Sequence, residues 1–242
     1  MQESLYHRRD TRLPRVRVVI AIVMAALLVR GARAADRVKE DNEGWFQFTA
    51  TGPLGGNFRL LLEAQPRIGE NAENGNVAMR ALILRGALGY AVLPYWTLWA
   101  GYGYTPTYNV QRDENRIWQQ SLIEFPLGPV KASNRTRLEE RMMEHARGTS
   151  VRVRNQIRFV YPLPQFPSWS LVAADEFFIN ANTVRKGPVA GVDQNRALAG
   201  IGRQVTSNLR VEFDYVNQIL NGRVGAPDTL RHSGLLQVAF TW

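Results

Sequence analysis

From Ala35 to Trp242, apolar and polar side chains alternate with a period of two, in runs of about ten residues broken by Gly, Pro and Asn. Phe58, Leu60, Leu62 and Ala64 alternate with Arg59, Glu63 and Gln65. Val151, Val153, Ile157, Phe159 and Tyr161 alternate with Arg152, Arg154, Gln156 and Arg158, and Leu209, Val211, Phe213 and Tyr215 with Arg210, Glu212 and Asp214. Successive side chains of a strand point to opposite faces, so each run has one greasy face and one charged face. No stretch in this part approaches 18 apolar residues, so a membrane-crossing helix is excluded.

Eleven such stretches can be placed, near 44–51, 57–68, 77–92, 95–108, 115–126, 130–144, 149–163, 168–181, 194–206, 208–220 and 230–242. Their connections alternate between mostly short ones, as at Leu93-Pro94 or Leu127 to Pro129, and longer polar ones near 69–76, 109–114, 182–193 and 221–229. The rhythm is that of an up-and-down antiparallel outer-membrane β-barrel, with short periplasmic turns and long external loops. Bacterial single-chain barrels have even strand numbers, so twelve strands are expected, with ten the alternative. A soluble β-sandwich or lipocalin-like barrel would alternate too. Against it stand the many Arg and carboxylates on the polar face, and aromatic residues near strand ends: Tyr95, Trp96, Trp99, Tyr102, Tyr104, Tyr108, Tyr161, Trp169 and Trp242. Amphipathic rings favour the headgroup level of a bilayer. Trp99 has the opposite parity from Trp96 and Tyr102 and is expected in the lumen.

The formal charge of +9 suggests nucleic acid until it is mapped. Residues 1–34 hold seven Arg against Glu3 and Asp10, or +5, and only +4 remains for the rest, which argues against a nucleic-acid partner. Arg8, Arg9, Arg12, Arg15 and Arg17 precede an apolar run from Val18 to Val29 and then Ala32-Arg33-Ala34. This is the pattern of a signal peptide cleaved after Ala34. Twelve apolar residues are too few to span a bilayer, which takes about 20. Asp10-Thr11 after Arg8-Arg9 fits the twin-arginine route poorly, so general secretion is expected. Residues 35–43 are read as a short mature N-terminal segment, and 44–242 as the barrel. With no Cys, the chain has no disulfides, thiolate ligands or lipoprotein anchor.

The last strand is the most specific local signal. Leu236, Val238, Phe240 and Trp242 share one face, and the chain stops on the aromatic, as in strands read by the outer-membrane barrel assembly machinery. Phe240 and Trp242 are therefore the candidate assembly signal, and that machinery is an expected partner beside outer-membrane lipid and lipopolysaccharide.

Several short motifs occur in order: Gly101-Tyr102-Gly103-Tyr104; Glu114-x-Arg116-x-Trp118-Gln119-Gln120; Arg135-x-Arg137-Leu138-Glu139-x-Arg141; Glu176-x-Phe178-x-Asn180; and Gln194-Asn195-Arg196 followed by Gly200-Ile201-Gly202. Through them the chain, from Trp45 to Trp242, resembles the bacterial family called domain of unknown function 2490, whose members look like outer-membrane β-barrels. The resemblance implies a fold and a compartment and supplies no activity, substrate or catalytic residue. Arg203 follows Gly202 where an aromatic would be expected on the outer face.

Strand parity points Arg59, Arg67, Arg85, Arg116, Arg135, Arg137, Arg141, Arg152, Arg154, Arg158, Arg196 and Arg210 into the lumen, with Glu63, Glu114, Glu124, Glu139, Glu176, Glu212 and Asp214. The expected role is an ion-pair network that fills a narrow barrel, Arg135, Arg137 and Arg141 bridging to Glu139, Glu124 or Glu176. Twelve Arg against seven acids would also make any conduction anion-preferring. The competing class is a lipid-modifying hydrolase or acyltransferase, which needs a nucleophile, a His base and a group orienting that base. The part of the chain after residue 34 offers His145 and His232. His232 and Ser233 are strand neighbours on opposite faces, and His145 lies at a strand end beside Glu144. Two isolated His give no metal-ligand spacing, and no cofactor is expected. The glycines near residues 101–103 precede no helix and form no phosphate loop, and the Asn134-Arg135-Thr136 glycosylation pattern lies inside a strand.

Overall fold

The computed structural model describes residues 38–70, 75–108, 112–222 and 226–242. The signal peptide expected at 1–34 lies outside the described residues. Eleven strands form one closed barrel: β1 (Val38–Gly55), β2 (Phe58–Glu70), β3 (Val77–Leu93), β4 (Trp96–Thr105), β5 (Glu114–Leu127), β6 (Val130–Met143), β7 (Ser150–Leu163), β8 (Phe166–Asn180), β9 (Gly191–Gln204), β10 (Leu209–Leu220) and β11 (Asp228–Thr241). Each pairs antiparallel with its sequence neighbour.

The seam overturns the expectation of twelve or ten strands. β1 and β11 run parallel over fourteen residue pairs, from Val38↔Asp228 to Thr51↔Thr241. An up-and-down sheet with an odd number of strands brings its first and last strands together in the same direction. A parallel ladder satisfies the backbone groups of both edges as an antiparallel one would, so closure does not require evenness. β1 begins at Val38, so the barrel takes in most of the stretch 35–43 set apart in the sequence.

Connections of two to four residues join β1–β2, β3–β4, β5–β6, β7–β8 and β9–β10, and connections of six to ten residues join the other five pairs. The short turns need backbone that L side chains resist: Gly56 (φ 54°) turns β1 into β2 and Gly128 (φ 60°) turns β5 into β6. All short turns therefore lie at one end of the barrel, with the C-terminal end of β11. All long connections lie at the other, with the first residue of β1.

Burial is inverted relative to a water-soluble domain. Among the described residues seventeen polar or charged side chains are buried against thirteen apolar ones, while thirty-four large apolar side chains are exposed. The apolar exterior is continuous across the seam, where Val238 and Phe240 of β11 adjoin Phe48 and Ala50 of β1, Leu62 and Ala64 of β2, Leu84 of β3 and Tyr102 and Tyr104 of β4. Inside, two apolar clusters interrupt the charge: Trp45, Val216 and Leu235 with Leu198, and Ala87, Trp99 and Trp118 with Leu61 and Leu122. Trp99 thus points into the lumen, as its parity required. Arg203 does face outward, its guanidinium 5.2 Å from the ring of Trp169 at the short-turn rim.

Candidate functional site: the charged lumen

The polar faces of the strands converge on a network whose hub is Glu139 of β6, a carboxylate with no solvent exposure. Arg152 reaches it at 2.7 Å, Arg154 at 2.8 Å, Arg116 at 3.2 Å and Arg137 at 3.9 Å. Four guanidiniums on one carboxylate would repel one another, and neighbouring acids take up the excess. Glu176 of β8 binds Arg135 (2.9 Å) and Arg154 (2.7 Å), with Arg196 at 3.8 Å. Glu114 of β5 binds Arg116 and, at 2.8 Å, Arg141, and Asp193 binds Arg152 at 3.1 Å. Arg137 instead sends Nε and Nη2 to Gln120 Oε1 (2.9 and 2.6 Å) and lies 4.1 Å from the ring of Trp118. Nearer the short-turn end Glu212 holds Arg158 and Arg210 (2.8 Å), and Glu63 holds Arg85.

Of the residues read from the sequence, Glu63, Arg116, Arg135, Arg137, Glu139, Arg141, Arg152, Arg154, Glu176, Arg196, Arg210 and Glu212 thus meet in the lumen. Arg59 and Glu124 have the same parity but lie exposed at the short-turn mouth and join no ion pair among the described residues. Among the described residues Glu124 takes none of the expected bridges: Arg135 pairs with Glu176, Arg137 lies nearest Glu139, and Arg141, toward the opposite end of the barrel, pairs with Glu114. Asp214 is fully buried and forms no ion pair among the described residues, accepting from Gln237 Nε2 at 2.5 Å.

A second network was not read from the sequence. Arg80 of β3 binds Asp41 (2.7 Å) and Glu43 (2.8 Å) of β1, and Arg231 of β11 binds the same two acids at 2.9 and 3.3 Å. Asp41 and Glu43 fall in the stretch set apart as an N-terminal segment. Arg80 is turned inward by a bulge opposite Arg67 and Ile68, which breaks the parity count. Arg231 shares parity with Leu235 and was legible. With these side chains and Asp193 the described strands place fourteen guanidiniums and ten carboxylates on the lumen side, a cationic excess of four rather than five.

The motifs of the sequence acquire a common location. Glu114, Arg116, Trp118 and Gln120 all face inward, as do Arg135, Arg137, Glu139 and Arg141, then Glu176, Phe178 and Asn180, then Gln194 and Arg196. The inward glycines clear space for them: a Cβ on Gly101 would strike the ring of Trp118, and one on Gly200 would strike Asp214. A family model described as protein of unknown function (DUF2490) matches residues 42–229. The chain belongs to this family. An uncharacterized protein of Methylorubrum extorquens is similar to this DUF2490 chain, 33% identical over 207 residues that cover 82% of this chain and 87% of that protein. Among solved structures the chain is similar to OmpT of Vibrio cholerae with loop L8 deleted, an outer membrane protein. The TM-score is 0.40 at 14% identity, over 73% of this chain and 57% of that one.

The two candidate catalytic histidines of the DUF2490 chain lie outside this network. His232 faces outward, its ring stacked on Tyr215 and its Nδ1 bonded to the Tyr215 hydroxyl. Ser233 is buried on the opposite face of β11. His145 occupies the β6–β7 connection with φ of 64°, 3.7 Å from Glu144 and exposed. Among the described residues neither has a serine hydroxyl as a hydrogen-bond partner.

The lumen is divided. Toward the long connections lies a cavity of about 600 Å³, and deeper a second of about 220 Å³. Arg85, Arg154 and Arg196 line both, so the partition between them is built from guanidiniums held by Glu63, Glu139 and Glu176.

Proposed function

We propose that this protein is a bacterial outer-membrane β-barrel, exported by the general secretory route, whose Arg/Glu network fills the lumen and leaves at most a narrow, anion-preferring path. The observation that carries this reading is the inversion of burial: an apolar exterior continuous across the seam, around a charged interior. In water the exterior would be an aggregation surface far larger than the few hundred Å² that monomeric proteins expose. In a bilayer it is the lipid face, and the closed ladder leaves no backbone edge in hydrocarbon. The aromatic rings at the strand ends, Tyr102 and Tyr104 toward the long connections and Trp169 and Trp242 at the short-turn end, supply headgroup anchors.

Two measurements test the reading together. Cell fractionation followed by electrophoresis with and without boiling should return the protein with the outer membrane, in a heat-modifiable form; a periplasmic protein of constant mobility ends the proposal. Planar-bilayer recordings of the purified barrel should show small anion-selective events that grow when Arg137 and Arg141 become Ala. Large, stable, cation-selective openings would contradict the filled lumen. The lipid-modifying alternative needs a serine within reach of His232 or His145, and the geometry around both histidines gives it no support. Its own test is a lipid mass spectrum that changes on overexpression of the wild type but not of a His232 or His145 variant.

A further inference from the structure

We infer that Arg67 and Arg196, which line the larger lumen cavity and both approach Trp45 in the wall of the smaller one, form a binding site for a hydrogen-bearing phosphate, either free or as a monoester, that enters from the long-connection end. The proposal rests on the closed barrel and its lumen, not on the compartment in which the barrel sits.

Among the described residues nine Arg and only two carboxylates, Glu114 and Asp193, line the larger cavity, and both carboxylates are already engaged by Arg116, Arg141 and Arg152. Most of the other guanidiniums have acid partners below the cavity or at its rim. Arg67 and Arg196 stand apart. Arg67 forms no ion pair among the described residues; its Nη2 donates to Gln65 Oε1 at 3.0 Å and its Nε is buried without a partner. Arg196 makes no hydrogen bond among them, its nearest carboxylate oxygen is Glu176 Oε2 at 3.8 Å, and its Nε is likewise buried and unpartnered. The two guanidinium carbons lie 3.9 and 5.1 Å from the centre of the Trp45 ring.

Stacking on an aromatic face takes up the flat side of a guanidinium and leaves its N–H edge free. Two guanidiniums drawn to one ring repel each other and are poorly hydrated, which is a costly arrangement for buried cations. An oxyanion between them removes the repulsion and can accept a forked pair of bonds from each. The third contact sets the class of anion. Gln218, opposite Arg196 in the β9–β10 ladder, lines the same cavity, and its Oε1 is buried without a donor. A carbonyl oxygen repels a fully deprotonated anion and accepts from one that bears a hydrogen, so hydrogen phosphate or a phosphate monoester with a hydroxyl fits where sulfate and chloride do not. The guanidinium partition beneath makes the site a place of capture rather than of passage.

Calorimetric titration of the purified full barrel in detergent micelles, at low salt, tests this with inorganic phosphate, a hexose 6-phosphate and sulfate in separate runs. Saturable binding of one or both phosphates is expected, with sulfate weaker by about tenfold, the worth of one good hydrogen bond. The comparison of free phosphate with hexose phosphate identifies the source. Arg67→Ala/Arg196→Ala should abolish the heat, and Gln218→Leu should erase the preference over sulfate while binding persists. Where the double Ala variant loses its heat-modifiable form, Arg67→Lys/Arg196→Lys keeps the charge, loses the fork and should still bind more weakly. No saturable heat with any phosphate, or binding indifferent to the Arg67 and Arg196 variants, overturns the site; equal affinity for sulfate overturns its assignment to a hydrogen-bearing anion. Because the readout is in micelles, its failure is independent of whether the protein fractionates with the outer membrane.

Discussion

At Glu139 one carboxylate is met by four guanidiniums, and the consequences of removing either sign differ. Glu139→Ala leaves Arg116, Arg137, Arg152 and Arg154 facing one another in a closed space. Deleting one partner of a buried charge pair costs about 3–5 kcal/mol, so the temperature at which the barrel unfolds in gel-shift assays should fall sharply. Arg137→Met should be far milder. Arg137 stands 3.9 Å from Glu139, farther than Arg116, Arg152 and Arg154, and much of what it does is packing on Trp118, which an unbranched apolar chain can imitate. Equal losses in the two variants would mean that net charge rather than the local hub governs stability. Both residues were visible in the sequence because strand parity alone puts Arg137, Glu139 and Arg141 on one face. Which acid each Arg takes was not visible, since the pairing depends on register between strands. Glu124 and Arg59 show the limit: parity gives the face but not the depth, and both sit at the short-turn mouth.

Among the elements, β11 has two roles, as the seam strand and as the carrier of the terminal aromatic. Trp242 extends past the strand, its N–H donates to Thr51 O at 3.3 Å, and its ring covers Gly52, where a Cβ would lie 2.5 Å from ring atoms. Phe240 stacks beside it at 6.4 Å. Trp242→Asp should therefore slow assembly by weakening the β1 contact as well as any recognition of the terminal strand, and should raise the fraction lost to periplasmic proteolysis. Normal outer-membrane levels of the variant would show that the aromatic end is dispensable. Gly52→Leu separates the two effects, since it displaces the Trp242 ring and leaves the terminal sequence intact. Elsewhere, β6 and β7 place Asn134, Thr136 and Asn155 outward in a mutually hydrogen-bonded group. On a lipid face such side chains are unfavourable even when bonded to each other. Asn155→Leu is expected to stabilise the barrel modestly in unfolding assays in lipid; destabilisation would argue that this face is not in contact with lipid. The alternation of the sequence located all eleven strands, and it was the rule of even strand number that displaced the count. Asp41 and Glu43 escaped because an acidic polar stretch reads as a linker until a partner strand supplies its other half, here Arg231 on β11 and Arg80 at a bulge.

For the molecule as a whole, the parallel seam puts the two ends of the barrel chain on opposite sides. Asp41 and Arg231 clasp β1 to β11 at the long-connection end, and Trp242 over Gly52 clasps them at the short-turn end. In a barrel with an even number of strands both chain ends share the side of the short turns. Here Val38 lies with the connections of six to ten residues, the kind that outer-membrane barrels present to the exterior. If the C-terminal strand is engaged first from the periplasm, β1 docks last, and its leading end must cross the membrane as it slides into the parallel ladder. A peptide tag placed directly before Val38 should then be reached by an antibody on intact cells, while a tag in the Gly128-Pro129 turn should be reached only after permeabilisation. Exposure of the two tags on the same side, with the barrel still heat-modifiable, would overturn the eleven-stranded closure. Exposure of the turn tag alone would instead keep the seam and reverse the insertion.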